Sequence, residues 1–326
     1  MRAARIAVVV PVYNAAEYLP LCLDSIAAQS FSQFCCVLAD DGSTDGSGAL
    51  CDTYARRDPR FEVLHLQNGG TAAARAAGVR AVSCEYLAFC DADDLLHPRF
   101  LETLLHAAEQ SGLPIACCRY DTFTDAPSLN GPAPESYTEM EDPRHLEALL
   151  HDHAVDYSLC NKLYDANLMR PEFLDNGLAH NEDLLANWEA FLLAPGMVFC
   201  DFAGYHYRQH AASASHHGLT AGELADHRAA AAQILAQAPD SVRSSAGAFY
   251  YEKLTYLVTR ILRLPEDAGL APALQQLTEE LRRGEKDPLL GANSALPRAV
   301  RIAARAAVHT PRLLRLACRL LLRDRA

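Results

Sequence analysis

Three acids in four residues, Asp91-Ala92-Asp93-Asp94, follow directly on an apolar run, Tyr86 to Cys90, that reads as a buried strand. Carboxylates gathered at such a place are unfavourable unless something positive neutralises them. A divalent cation is the simplest partner. Mg²⁺ or Mn²⁺ takes oxygen ligands, keeps positions for water and substrate phosphate, and needs only one or two protein carboxylates. Asp91 and Asp93 are therefore candidate metal ligands, and Asp94, just before Leu95, suits the cap of a following helix. A second acidic element, Asp40-Asp41-Gly42-Ser43-Thr44-Asp45, ends another apolar run. Asp40 or Asp41 can accept hydrogen bonds there from a uracil N–H or ribose hydroxyls, while Ser43, Thr44 and Asp45 suit a turn and a helix cap.

Asn68-Gly69-Gly70 leads into an Ala-rich segment ending at Gly78. A Gly turn entering a helix resembles a phosphate cradle, because helix N-termini offer N–H groups and positive potential. It lacks the Lys-Ser/Thr of a P-loop and the spacing of a dinucleotide fingerprint, which excludes an ATPase or dehydrogenase reading. Arg75 faces either a diphosphate or an internal acid. Asn181-Glu182-Asp183 opens a helix, where acids are common for electrostatic reasons alone.

The elements that carry these groups alternate. Ile6 to Val12 reads as a buried strand that Pro11 ends, followed by a helix over Glu17 to Ala28 and a strand over Phe34 to Ala39. Helices over Ser47 to Arg57, Thr71 to Val82 and Arg99 to Gln110 then interleave with strands over Phe61 to Leu66, Tyr86 to Cys90 and Leu113 to Tyr120. This is the pattern of an α/β fold with a doubly wound, mostly parallel sheet, which binds ligands at the carboxyl ends of its strands. Residues 124–143 read as a surface excursion, helix resumes near His145 and over Leu184 to Leu193, and Met197 to Tyr207 alternates as a β segment. Beyond residue 217 the chain is Ala-, Leu- and Arg-rich helix with breaks at Pro239, Pro265, Pro288, Pro297 and Pro311. Two domains are expected: a catalytic one over 1–216 and a helical one over 217–326.

With a formal net charge of −12 over 326 residues, the chain does not suit a protein that coats nucleic acid. Its eleven cysteines fall mostly inside apolar runs, as reduced core thiols of a cytosolic protein do, without the paired spacing of a zinc site. The apolar run near the N-terminus is too short for a signal peptide, and no stretch reaches the roughly 18 apolar residues that cross a bilayer. The catalytic part is expected to be soluble and cytoplasmic. From Arg298 to Arg325 there are eight Arg against one acid. Such a basic amphipathic segment suits an anionic membrane surface, or else a solvated helix packed on the acidic body.

Val9-Val10-Pro11-Val12-Tyr13-Asn14, Asp40-Asp41-Gly42-Ser43-Thr44-Asp45, Asn68-Gly69-Gly70 with Arg75 and Gly78, and Asp91-Ala92-Asp93-Asp94 together resemble the family 2 glycosyltransferases of the GT-A fold, over roughly the first 120 residues. The resemblance continues less tightly through Cys160-Asn161-Lys162-Leu163-Tyr164, Asn181-Glu182-Asp183, and Tyr205-His206-Tyr207-Arg208-Gln209 with Ser213 and Ser215. It implies a nucleoside-diphosphate sugar donor, with UDP expected, held near Pro11, Tyr13, Asn14, Asp40 and Asp41, and also by Asn68, Gly69, Arg75 and Ala92. It implies that Asp91 and Asp93 serve the metal and the ribose-diphosphate, and that Asp183, or else Glu182, is the base of an inverting transfer to a saccharide or lipid-linked acceptor in cell-surface glycan synthesis. His206 and Arg208 are then placed to touch the diphosphate.

Ala76 stands where many relatives carry Asn, and the Gln-x-x-Arg-Trp element of processive synthases is missing. Two other readings compete. A nucleotidyltransferase would show a Gly-rich, Lys/Arg-bearing loop after the first strand, and Tyr13-Asn14-Ala15-Ala16-Glu17 is no such loop. A non-catalytic nucleotide-sugar sensor or assembly partner would not need Asp91, Asp93 and Asp183 intact.

Overall fold

Ile6–Val12 is buried at every position and forms β1, which pairs in parallel with β2 (Phe34–Asp40) on one side and β4 (Tyr86–Phe89) on the other. The computed structural model describes residues 4–125, 137–151, 154–210, 219–265 and 269–321. Most of the expected excursion (126–136), Ser213, Ser215, the expected boundary at 216/217, Arg323 and Arg325 lie outside the described residues. Sequence reasoning ends β1 at Pro11, but the strand runs on to Val12, with Pro11 opposite Ala39. The carbonyl of Val9 accepts from Cys90 on the β4 side and that of Val12 from Asp41 on the β2 side. Alternation puts the missing N–H of Pro11 on the β4 side, past the last partner there, Phe89 opposite Val9. No ladder bond is lost, so proline is tolerated.

Between these strands run α1 (Leu19–Ala27), α2 (Ser47–Arg57), β3 (Phe61–His65) and α3 (Thr71–Arg80). The parallel order β3-β2-β1-β4 reverses its direction of growth between β1 and β4. Open α/β sheets hold ligands at such a switch point, outside the carboxyl ends of the strands. Tyr13-Asn14 after β1 and Asp91 after β4 both leave the sheet there. Helix α3 lies close on β1, since a Cβ at Gly78 would stand 2.4 Å from Val9 Cγ1. Arg75, one turn earlier on the same helix, is thereby carried into the interior, with only 3% of its surface exposed.

Past β4 come β5 (Leu95–Leu96), α4 (Phe100–Ser111), β6 (Ile115–Phe123), β7 (Tyr137–Glu141), α5 (Arg144–His151), β8 (Lys162–Asp165), α6 (Pro171–Leu174), α7 (Glu182–Leu193) and β9 (Gly196–Arg208). The strand order is β3-β2-β1-β4-β8-β6-β9-β5, with β7 on β9. Strand β8 lies between β4 and β6, antiparallel to both, so the sheet is mixed though its β1–β4 half is wholly parallel. Asp94 caps no helix. Leu95 and Leu96 pair instead with His206 and Tyr205 of β9, and helix begins only at Phe100. Two adjacent leucines that are both buried fit a strand covered on both faces.

The chain folds as two compact units, 1–214 and 215–326. The second is helical: α8 (Ala221–Gln237), α9 (Arg243–Arg263), α10 (Ala271–Gly284), α11 (Arg298–His309) and α12 (Pro311–Leu321). Its core gathers on α9, whose Tyr251, Leu254, Val258 and Ile261 are buried in one cluster with Leu277, Leu281 and Ala304. Pro239, Pro265, Pro297 and Pro311 stand at or just beside helix ends, because proline lacks the N–H and crowds the preceding turn. Among the described residues, no helix is long and apolar enough to cross a membrane.

Candidate active site

The loops after β1 and β2 are tied to one another before any ligand is considered. The Asn14 N–H donates to Ser43 Oγ at 3.1 Å, and Asn14 Oδ1 accepts from the Thr44 N–H at 2.8 Å. Ala15 and Ala16 donate to Ser47 Oγ and Asp45 Oδ2, both at 2.9 Å. Asn14 adopts a left-handed φ of 48° to make these bonds. Tyr13 is left standing at the mouth, 53% exposed, while Pro11 is buried within β1.

Asp40 and Asp41 have different internal duties. Asp40 Oδ1 accepts the Ser43 N–H at 3.0 Å, and its Oδ2 lies 2.8 Å from His65 Nδ1. Burial alone would raise the Asp40 pKa, but the bonds from Ser43 and His65 outweigh it and hold the carboxyl below its usual range. Asp41 accepts the N–H groups of Gly69 and Gly70, both at 2.8 Å. The Asn68-Gly69-Gly70 turn is thus not an empty phosphate cradle: its glycine N–H groups clasp Asp41, and Asn68 is left exposed. Gly42, at φ 72°, makes the close approach possible, since a Cβ there would stand 3.1 Å from the Asn68 nitrogen.

His65 faces two carboxylates, Asp40 and, at 3.1 Å from its Nε2, Asp52. The bonds to Asp40 and then Asp52 raise its pKa above 6.5. The stabilisation is therefore full below the unfolded value near 6.5 and is lost as pH rises through the raised folded value. His65→Gln is expected to lower the thermal midpoint at pH 6 and to narrow the gap to the wild type above that folded value. A gap that widens with pH would contradict the assignment.

At the end of β4 the acids converge on one cation. Arg75 donates through Nη2 to Asp91 Oδ1 at 2.7 Å and through Nη1 to Asp183 Oδ1 at 2.5 Å, with Glu182 Oε1 at 3.5 Å. Of the two partners open to Arg75 on sequence, the structure shows the internal acids. Burial opposes its charge, but Asp183 and Asp91 prevail and hold its pKa well above the usual guanidinium value. Burial likewise raises Asp183, against the pull of Arg75, and it lifts Glu182 to about 7 with help from the Asp183 charge. Asn187, a turn beyond Asp183 on α7, donates to the Asp183 carbonyl at 3.1 Å and to that of Tyr157 at 2.7 Å, and accepts from the Tyr164 hydroxyl at 2.7 Å.

Asp93 and Asp94 diverge. Asp93 Oδ2 lies 2.9 Å from His210 Nε2, and the His210 ring rests on Tyr18 with centroids 4.5 Å apart. Asp94 is wholly buried, accepting from the Tyr205 hydroxyl and, at 2.7 Å, from the Arg208 N–H. Burial, and then the charges of Asp91 and Asp93, push its carboxyl up to about 8. Ala92 between them is buried. Arg208 Nε donates to the Asp93 carbonyl at 2.8 Å, its guanidinium sits over Tyr18 and Phe123, and its Nη2 is buried without a partner among the described residues. His206, 1% exposed and bonded through Nδ1 to Asp121 at 2.5 Å, is turned away from solvent.

Beside Asp91 and Asp94 opens a cavity of about 170 Å³ walled by Tyr120, Tyr205, Tyr207, Asp156 and Ser158. Lys162 holds its rim from beneath, donating to the carbonyls of Asp156 at 3.0 Å and Ser158 at 2.7 Å. Sequence reasoning missed Tyr18, Tyr120, Asp156, Ser158 and His210. They come from separate elements, and no local spacing marks them.

Of the two acids expected to serve a metal, Asp93 is bonded to His210 and Asp91 to Arg75. Among the described residues no group of three or more His, Cys, Asp or Glu side chains is placed to hold a metal ion.

Comparison with known proteins agrees with this architecture. Residues 7–171 match the family model described as Glycosyl transferase family 2. The putative glycosyltransferase EpsH of Bacillus subtilis (strain 168) is 28% identical over 218 residues, 65% of this chain and 63% of its own length. The chain thus spans less than two thirds of that relative. The crystal structure of S. aureus TarS 1–349 in complex with UDP-GlcNAc superposes with a TM-score of 0.62 at 18% identity, covering 97% of this chain and 89% of that one. The mannosyltransferase PcManGT of Pyrobaculum calidifontis, in complex with GDP-Man and Mn²⁺, gives 0.54 at 17% identity, covering 94% and 88%. At such identities the two structures speak for a shared GT-A fold. With half of its length matched to the family model, a span that holds the acids at the ends of β2 and β4, the chain belongs to glycosyl transferase family 2.

Proposed function

We propose that the chain transfers a glycosyl unit, with inversion, from a UDP-sugar to a hydroxyl of a saccharide or lipid-linked acceptor in cell-surface glycan synthesis. The observation that carries the reading is the convergence of Asp91, Asp183 and Glu182 on Arg75 at the switch point of the sheet. In this reading the Asp183 carboxylate takes the proton of the acceptor hydroxyl. The acceptor oxygen bonds to the anomeric carbon, and the bond from that carbon to the diphosphate oxygen breaks with its electron pair leaving on the diphosphate. A raised Asp183 pKa makes it a better proton acceptor near neutral pH than an ordinary carboxylate. Arg75 keeps Asp183 and Asp91 in register.

Asp91 and Asp93 would hold Mn²⁺ or Mg²⁺ together with donor phosphate and water, a cation that when bound would stabilise the charge of the departing diphosphate, with His210 positioning Asp93. The donor base would lie against Tyr13 and the loops tied by Asn14 and Asp41, with Asp40 acting from behind through Ser43. The reacting sugar would enter the tyrosine-walled cavity. Arg208 has a buried Nη2 still to satisfy and remains a candidate diphosphate contact. His206 would act only through Asp121. Eleven free thiols accord with the cytoplasm as the compartment.

A thermal-shift panel of nucleoside diphosphates tests the donor. UDP with Mn²⁺ is expected to raise the midpoint, as a ligand bound only by the folded state must. Equal shifts for UDP, GDP and ADP, or none, would remove uridine from the proposal.

A further inference from the structure

The second unit carries a surface that glycosyl transfer does not use. Arg312, Arg315 and Arg319, spaced three and four apart, form one stripe along α12. From Arg298 to Leu321 there are six Arg and no acid, on a chain whose net charge is −12. Neither Arg312 nor Arg319 forms an ion pair with a carboxylate of the described residues, whereas Arg305 on α11 lies 3.7 Å from Glu285. Arg315 and Arg319 instead donate to the Leu264 carbonyl at the end of α9, at 3.3 and 3.1 Å, and are held beside a hollow of about 490 Å³ whose apolar wall is Leu262, Leu274 and Leu316.

Two exposed leucines flank the stripe on the same helix. Helix α12 seats Leu314 and Cys318 toward its own bundle, but Leu313 and Leu316 stand 66% and 55% exposed, and Ile302 on α11 59%. These are the three most exposed large apolar side chains among the described residues. Scattered single leucines need no explanation, but a group of them beside a stripe of arginines does. We propose that this α12 face docks on an anionic lipid surface, with Arg312, Arg315 and Arg319 among the headgroup phosphates and Leu313 and Leu316 at the acyl boundary. Charge selects the partner: the chain as a whole is acidic, and this basic stripe is drawn to an anionic surface that the net charge opposes. A nucleic acid would use the arginines but leave the leucines in water.

Co-sedimentation of the full chain with vesicles tests the proposal, independently of the transfer reading. Wild type is expected to pellet with phosphatidylcholine vesicles containing a third phosphatidylglycerol, not with pure phosphatidylcholine, and less as salt is raised. Each arginine near such a surface is worth roughly fivefold in partitioning. Arg312→Gln, Arg315→Gln and Arg319→Gln together are thus expected to weaken binding roughly 100-fold. Leu313→Gln with Leu316→Gln, which changes two largely exposed side chains, is expected to abolish stable binding while thermal unfolding stays unchanged. Wild type left in the supernatant, equal pelleting with both lipids, or binding indifferent to both variants would overturn the proposal. So would a lipid-free dimer, seen by sedimentation velocity, that the leucine variant dissociates.

Discussion

Asp183→Asn is expected to lower kcat by roughly 100- to 10,000-fold, the range removed with a general base, while donor affinity stays within a few-fold of the wild type. Asparagine keeps the shape and an oxygen for Arg75 but cannot take a proton. Arg75 is not stranded in the variant, because Asp91 at 2.7 Å and Glu182 at 3.5 Å remain beside it. Glu182→Gln separates the two acids. If Asp183 is the base, this second variant changes kcat by less than about tenfold. It also moves the pH profile, because Glu182, lifted to about 7, contributes a charge beside the base that depends on pH in that range. Steady-state kinetics of both variants, with thermal midpoints to show that each is folded, decide between them. A reversed ranking would move the base to Glu182.

The second large effect concerns Asp93. Chelation of divalent cations is expected to abolish turnover, and Asp93→Ala is expected to lower it by roughly 100-fold or more at the Mn²⁺ concentration that saturates the wild type, since a metal supplies several kcal/mol of charge stabilisation. Excess Mn²⁺ should recover part of the loss, because Asp91 and the donor phosphates would still supply oxygen. His210→Ala should act in the same direction but more weakly, raising the Mn²⁺ requirement more than it lowers saturated turnover. Activity indifferent to both chelation and Asp93→Ala would show that these acids serve another purpose.

How much of this was legible in the sequence depends on how local each signal is. Strands β1, β2 and β4 were readable because each is a continuous apolar run ending in polar residues, β3 by its Phe61, Val63 and Leu64, and the acids of the proposed site, Asp91, Asp93 and Asp183, stand at element ends. Strand β8 was not, since Lys162–Asp165 is four residues long and carries a buried lysine. The carbonyls of Asp156 and Ser158 and the Asn161 side chain accept from its ammonium and make that burial tolerable. Asp94 looked like a cap because sequence cannot show that Leu95 and Leu96 pair with a strand more than a hundred residues later. Arg75 was balanced between a diphosphate and an acid because its acidic partners, 16 and 108 residues away, meet it only through the fold. His210 and Tyr120 were invisible for the same reason, being delivered by the residues after β9 and by β6.

The glycine turn carries a related lesson. Asn68-Gly69-Gly70 had the composition of a phosphate cradle, and a single carboxylate from a neighbouring strand end gave it another use. Composition says which groups a loop can offer, and only long-range pairing says which are already taken.

Nucleotide release is the most direct test of metal-dependent sugar transfer at the Asp91–Arg75–Asp183 cluster. The full chain is incubated with UDP-, GDP- and dTDP-sugars, with Mn²⁺ or with chelator, and the free nucleoside diphosphate is quantified for wild type and Asp183→Asn. The expected result is release from UDP-sugars alone, dependent on Mn²⁺ and lost in Asp183→Asn. Release that survives chelation and the Asp183→Asn substitution, or no release from any nucleotide sugar, would contradict it.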